Sequence, residues 1–264
     1  MKIAISGKGG VGKSTLSAAL AMLLSGKGGR VLALDADPAA NLAAALGIPG
    51  QIQKKIIPIS QQIELIEERT GAKVKQYGQM FRINPDVSDV AGKYAINYNG
   101  VNLLVLGAVT RGGGGCACPE SVFIKALVSD LVLYQNDVLI MDMEAGVEHL
   151  GRATAGGVDM MIIVVEPGQR SLDCAKKIHT MANQIGIKNI GYVGNKITGK
   201  NDEEFILTNL KGPVYLGSIN YSEQMRTCDR TGRSVLESAD AILKKQFTGI
   251  LDAIELNNHS FKKV

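Results

Sequence analysis

The chain has 264 residues, 45 % of them apolar and 20 % charged, which suits one globular domain able to bury a sizeable core. Its net charge of +4 is small and its basic residues are scattered, which argues against a nucleic-acid partner, and Lys262-Lys263 reads as a solvated tail. The longest apolar run, 160–165, is too short to span a bilayer, and the four cysteines form no disulfide framework. A cytoplasmic protein with no membrane partner is therefore expected.

Met1 leads straight into a short apolar strand at 2–6, so no secretory leader is expected. Glycines follow, and then an Ala/Leu-rich helix at 14–25. A second strand, 30–34, ends at Asp35. The stretch 50–100 is the least regular, with one short helical pattern at 61–69. Beyond it the spacing predicts buried strands at 101–106, 138–141, 160–165, 190–193 and 214–216. Helices are predicted at 121–134, 172–185, 202–209 and 235–256. This alternation predicts an α/β fold, a mostly parallel central sheet flanked by helices on both faces. No internal repeat or second glycine loop is present, so a single domain is expected over 1–256, with a C-terminal tail at 257–264.

The glycine loop reads Gly7-Lys8-Gly9-Gly10-Val11-Gly12-Lys13-Ser14-Thr15 and satisfies GxxxxGK[ST], the Walker A pattern of a P-loop NTPase. The backbone of Gly7, Gly9, Gly10, Val11 and Gly12 can wrap the phosphates of ATP or ADP with its N–H groups turned inward. The helix that follows aims its positive end at the same place. Lys13 is expected to reach the β- and γ-phosphates, and Ser14 to join the Mg²⁺ shell, with Thr15 beside it.

Lys8, directly after the first glycine, makes the loop KGGxGK[ST]. In this the chain resembles the deviant Walker A family, which holds the Min and Par ATPases, nitrogenase iron protein and related metal-handling ATPases. The resemblance implies ATP hydrolysis in a sandwich homodimer, with Lys8 acting in trans on the partner's phosphates. It also implies that Asp35-Ala36-Asp37-Pro38 is switch I, with Asp37 orienting or deprotonating the attacking water, Asp35 a structural or Mg²⁺-side neighbour, and Asn41 completing the element. Val138-Leu139-Ile140-Met141-Asp142 is an apolar strand ending in an acid, the Walker B form. Asp142 is expected to hold Mg²⁺ through water and the Gly146 N–H to sense the γ-phosphate, making 144–152 switch II. His149 reads as a packed or surface residue. Gly194-Asn195-Lys196-Ile197-Thr198 resembles a base-binding corner. Thr198 stands where a guanine site needs an acid, which favours adenine, with Asn195 its contact. Gly217-Ser218-Ile219-Asn220 lacks the proline that often walls the base.

Gly112-Gly113-Gly114-Gly115-Cys116-Ala117-Cys118-Pro119 is the most individual stretch. Two thiolates are too few for a closed tetrahedral site, but a two-fold dimer doubles them. Four such ligands suit Zn²⁺, Ni²⁺ or an iron–sulfur cluster. Cys174 and Cys228 read as ordinary small residues. Taken with Asp142-Met143-Glu144-Ala145-Gly146-Val147-Glu148-His149-Leu150, the loop and the cysteine pair resemble the CooC family, accessory ATPases for nickel insertion into carbon monoxide dehydrogenase. The resemblance covers nearly the whole chain and is weakest over 50–100. It implies Ni²⁺ or Zn²⁺ held by Cys116 and Cys118 of both chains, an ATP- and metal-dependent homodimer, and carbon monoxide dehydrogenase as client. Two other functions are open. One is an ATP-driven iron–sulfur electron donor like nitrogenase iron protein, although the second cysteine that family places beyond switch II is missing. The other is a Min/Par-type positioning ATPase, which would leave the cysteines idle and lacks a basic amphipathic end.

Overall fold

Strands covered on both faces read as unbroken apolar runs, as in the almost wholly buried β1 (Lys2–Gly7), β2 (Val31–Ala36), β4 (Val101–Val105), β5 (Val138–Met143) and β6 (Met160–Val165). With β3 (Ile96–Tyr98), β7 (Ile190–Ile197) and β8 (Val214–Asn220) they form one eight-stranded sheet in the order β3-β4-β2-β5-β1-β6-β7-β8. Every pairing is parallel except β3 on β4. The computed structural model describes all residues except Lys75, Tyr77, 109–117, Lys211 and 262–264.

Successive strand residues point to opposite faces, and each face has its own core. Ile3, Ile5, Ala33, Ile140 and Ile162 pack with Leu16 and Leu20 of the helix Lys13–Gly26 and with Phe247 and Leu251 of the helix Ala241–Phe261. Leu34, Met141 and Ile163 pack on the other face with Phe123 and Leu127 of the helix Pro119–Tyr134 and with Leu172 and Ile178 of the helix Gln169–Ile185. Between 50 and 100 the chain makes short helices at Gly50–Gln53, Ile63–Thr70 and Val90–Tyr94 and then the antiparallel edge strand β3. An Arg69–Asp89 ion pair of 2.9 Å ties this stretch together.

The predicted α/β architecture is the observed one, and three details differ. The expected helix at 235–256 is two, Val235–Ser238 and Ala241–Phe261. Asp240 accounts for the break: its carboxylate accepts the Leu243 N–H at 2.8 Å and starts a new helix. The expected tail boundary at 257 falls within that second helix, whose Asn258 is buried. A further helix, Glu223–Thr231, follows β8. It has no continuous apolar stripe to announce it: among the described residues its one buried apolar side chain is Cys228. Among the described residues, no helix is long and apolar enough to cross a membrane.

Candidate nucleotide site

In an open parallel sheet, ligands bind outside the carboxyl ends of the strands, where the strand order reverses. That edge carries the glycine loop after β1, Asp35 and Asp37 at the end of β2, and Asp142 near the end of β5. A cleft of about 610 Å³ opens there. Gly9, Gly10, Gly12, Lys13, Ser14 and Thr15 form its floor, and Asp37, Asn41 and Glu144 one side. Gly7 and Val11 are buried beneath the loop.

Lys13 is only 6 % exposed, and its ammonium lies 3.5 Å from Asp37 Oδ2. The other Asp37 oxygen accepts the Ala39 N–H at 2.9 Å, so the turn after β2 folds on this side chain. Asp35 is fully buried and accepts the N–H groups of Asp37 (3.2 Å) and Leu42 (2.9 Å), which makes it the structural anchor of that turn. Strand register sets Asp35 beside Asp142, also fully buried. Burial, and then the neighbouring Asp142 carboxylate, push the Asp35 carboxyl up to about 7. Burial pushes Asp142 up to about 6, against hydrogen bonding from Ser14 and the charge of Lys13. Ser17 donates to Asp142 Oδ1 at 3.3 Å, while Oδ2 is buried with no partner. An orphaned carboxylate oxygen beside Ser14 fits a hydrated Mg²⁺, which would supply the missing hydrogen bond through a bound water.

Gly12 has a left-handed backbone (φ 102°), and a Cβ there would collide with the Asn195 side-chain amide. Asn195 is buried and lines the cleft, but it also braces the loop. It donates to the Val11 carbonyl at 2.7 Å and accepts the Lys196 N–H at 2.8 Å. Gly12→Ala is therefore expected to destabilise the protein by about 2–3 kcal/mol through backbone strain and overpacking. It should weaken nucleotide binding at least tenfold, or roughly 1.4 kcal/mol. Thermal unfolding and nucleotide titration of the variant measure the two effects, and wild-type values in both would refute the account.

Gly146, expected to face a γ-phosphate, is turned away from the cleft. The Gly146 N–H donates to the Glu144 carbonyl (2.8 Å) and to Ser6 Oγ (3.1 Å), and Gly146 is not part of the cleft wall. His149 is half-buried and does not line the cleft. Thr198 donates through both its N–H and its hydroxyl to Asp202, serving the turn into the helix Lys200–Asn209. Cys118 ends the cysteine motif as the half-buried residue in front of the helix Pro119–Tyr134, a free thiol that burial pushes up. Cys116 lies outside the described residues. Among the described residues, no group of three or more His, Cys, Asp or Glu side chains is arranged to hold a metal ion.

Residues 2–235 match the CobQ/CobB/MinD/ParA nucleotide-binding domain. The chain belongs to this family. It is 41 % identical over 245 residues, 93 % of either chain, to the carbon monoxide dehydrogenase accessory protein CooC of Rhodospirillum rubrum. An uncharacterised ATP-binding protein of Methanocaldococcus jannaschii is 42 % identical over 238 residues, 89 % of this chain and 91 % of that one. The fold is that of the cell-division protein MinD of Aquifex aeolicus, with a TM-score of 0.66 at 19 % identity over 96 % of both chains.

Two parts of the site escaped the sequence reading. One is the far wall of the cleft, where Tyr221, Met225 and Arg226 come from the end of β8 and the unforeseen helix Glu223–Thr231. A Tyr-x-Glu-x-x-Arg pattern after a strand carries no signal of its own. The other is Glu166, just past β6, whose carboxylate lies 2.8 Å from the Lys8 ammonium and 3.0 Å from that of Lys196. Finding it requires knowing that β1, β6 and β7 are neighbours.

Proposed function

We propose that this chain hydrolyses ATP as a nucleotide-switched homodimer in the cytoplasm and uses the cycle to hand nickel to carbon monoxide dehydrogenase. One observation carries the reading. A Cys116-Ala117-Cys118-Pro119 motif leads into the helix Pro119–Tyr134, in a chain 41 % identical over 93 % of its length to a carbon monoxide dehydrogenase accessory protein.

In this reading the backbone of residues 7–15 cradles the phosphates and Lys13 binds the β- and γ-groups. Asn195 contacts the adenine with its remaining amide proton, and Tyr221 and Met225 supply the wall that the missing proline leaves open. Ser14 and Asp142 would hold Mg²⁺, which would supply charge neutralisation at the phosphate oxygens. Asp37 leaves Lys13 when the phosphates arrive and orients the attacking water. Lys8 of each protomer stabilises transition-state charge on the nucleotide of the other. The Gly146 N–H exchanges Ser6 for the γ-phosphate and so carries the nucleotide state into switch II. Cys116 and Cys118 of both chains present four thiolates to the cargo, Ni²⁺ or Zn²⁺. Closing the dimer therefore couples metal affinity to ATP, because both ligands bias one open–closed equilibrium.

An anaerobic Ni²⁺ titration of the metal-free protein, read by thiolate-to-metal charge-transfer absorption, tests the proposal. Saturation is expected near one ion per two chains, tighter with a non-hydrolysable ATP analogue, and the signal should vanish in a Cys116→Ala/Cys118→Ala double variant. Undiminished binding in that variant would end the shared-thiolate reading. A brown protein with stoichiometric iron and sulfide would replace nickel delivery with electron transfer.

A further inference from the structure

Adjacent parallel strands bring three charged side chains to one spot above the glycine loop. Gly7 of β1 pairs with Val164 of β6, and Val165 pairs with Gly194 of β7. Lys8, Glu166 and Lys196 follow those residues directly or two positions on, and they meet at the carboxyl edge. Each oxygen of Glu166 takes one ammonium: Oε1 accepts from Lys8 at 2.8 Å and Oε2 from Lys196 at 3.0 Å. Lys196 also donates to the Gly10 carbonyl at 2.8 Å, so the carboxylate is tied to the glycine loop on both sides.

The cluster is built from constrained parts. Lys196 has a left-handed backbone (φ 59°), a conformation a lysine keeps only when its surroundings over-determine it. The Glu166 N–H donates to the buried Ser171 hydroxyl at 3.1 Å, which fixes its backbone against the start of the helix Gln169–Ile185. Burial opposes ionisation of Glu166, yet the Lys8 and Lys196 ammonium groups outweigh it and hold the carboxyl below its ordinary range. Lys8 is thus engaged within its own protomer, its side chain 38 % exposed beside the loop that it would leave to reach a partner.

The geometry points to Glu166 as a positioning residue that parks Lys8 in cis and releases it only when partner phosphates outcompete its carboxylate. This rests on the reading that Lys8 acts in trans. Closure then exchanges one charge-assisted hydrogen bond for another. The strength of the first sets how much nucleotide is needed to form the dimer. Lys196 stays behind on Glu166 and Gly10, so the half-buried carboxylate is never left unpaired when Lys8 departs.

The test is the concentration of a non-hydrolysable ATP analogue at which half the protein is dimeric, read by light scattering and expressed relative to each variant's own monomer affinity for ADP. Glu166→Gln keeps the shape and removes the charge, and should lower that threshold about tenfold, whereas Glu166→Asp should lie between it and wild type. In a Lys8→Ala background, which should itself raise the threshold, Glu166→Gln should have no further effect. A second readout needs no dimer. In protein labelled with ¹⁵N-lysine, the Lys8 ammonium signal should be slowed in proton exchange without nucleotide, and speed up in Glu166→Gln. If Lys8→Ala dimerises as wild type does, the trans reading falls and the positioning role falls with it. If Lys8→Ala is impaired but Glu166→Gln has a wild-type or higher threshold, Lys8 acts in trans and Glu166 does not restrain it. An unchanged Lys8 ammonium signal in Glu166→Gln would also overturn the proposal.

Discussion

Replacing Lys13 with alanine is expected to abolish useful nucleotide binding, with a loss of about 3 kcal/mol or more, a factor of at least about 100. The side chain is nearly fully buried at the base of the cleft and is the cation there closest to the Asp37 and Asp142 carboxylates. In the proposed mechanism its ammonium serves the phosphates when they are bound and Asp37 when they are not. The variant should therefore differ from wild type even without nucleotide. Removing Lys13 takes away a charge that favours ionised Asp142, whose carboxyl burial already pushes up to about 6, so the variant's unfolding temperature should fall more steeply than that of wild type as the pH rises from about 5 to about 8. Isothermal titration with ADP and a melting series over pH measure both effects. ADP affinity within a factor of about three of wild type, or 0.6–0.7 kcal/mol, would show that the loop backbone alone binds the phosphates.

Asp142→Asn should move stability and binding in opposite directions. In the folded protein the Asp35 and Asp142 carboxyls titrate at about 7 and about 6, against an ordinary value of 3.8 in the unfolded chain. Between those limits the folded state holds more protons than the unfolded one, so raising the pH withdraws stability. The contribution is fully present below the unfolded value and is lost as pH rises through the folded values. The asparagine carries no charge and cannot incur that loss. Its Oδ1 can still accept from Ser17, and it leaves no carboxylate next to Asp35. The nucleotide-free variant should melt roughly 5 °C above wild type at pH 8 and close to it only near or below about pH 4. Its affinity for Mg²⁺-nucleotide should fall about 100-fold, since the anionic oxygen facing the hydrated ion is gone. A variant that melts below wild type at pH 8 would mean that the buried acids are stabilising as ions.

What could be read beforehand follows from how local each signal is. The glycine loop and the acids at the ends of β2 and β5 lie within a strand and the few residues after it, so pattern alone located them. The signature lysine was equally plain, but its present partner Glu166 is 158 positions away and reaches it only through the pairing of β1 with β6. Strand order is a property of the whole sheet, and no window of sequence contains it. Asn195 was expected at the base and lines the cleft, yet its contact with the Val11 carbonyl spans 184 positions and was invisible for the same reason. The helix Glu223–Thr231 failed differently, being too polar for its period to show. The break before Ala241 was legible in principle, since Asp240 is a good N-cap, but the apolar repeat on either side of it masked the signal.

The distribution of the cleft residues over the sheet has a kinetic corollary. Phosphate loop, acids and brace come from β1, β2, β5 and β7, and the contacts that join the loop to β5 and β7 close loops of more than a hundred residues. Ordering such contacts is entropically costly and comes late in folding, after the neighbouring strands have joined. A nucleotide therefore finds its full set of ligands only in the finished sheet and cannot act as a template for assembling it. Saturating Mg²⁺-ADP should slow unfolding and leave the refolding rate nearly unchanged, as for any interaction absent from the transition state.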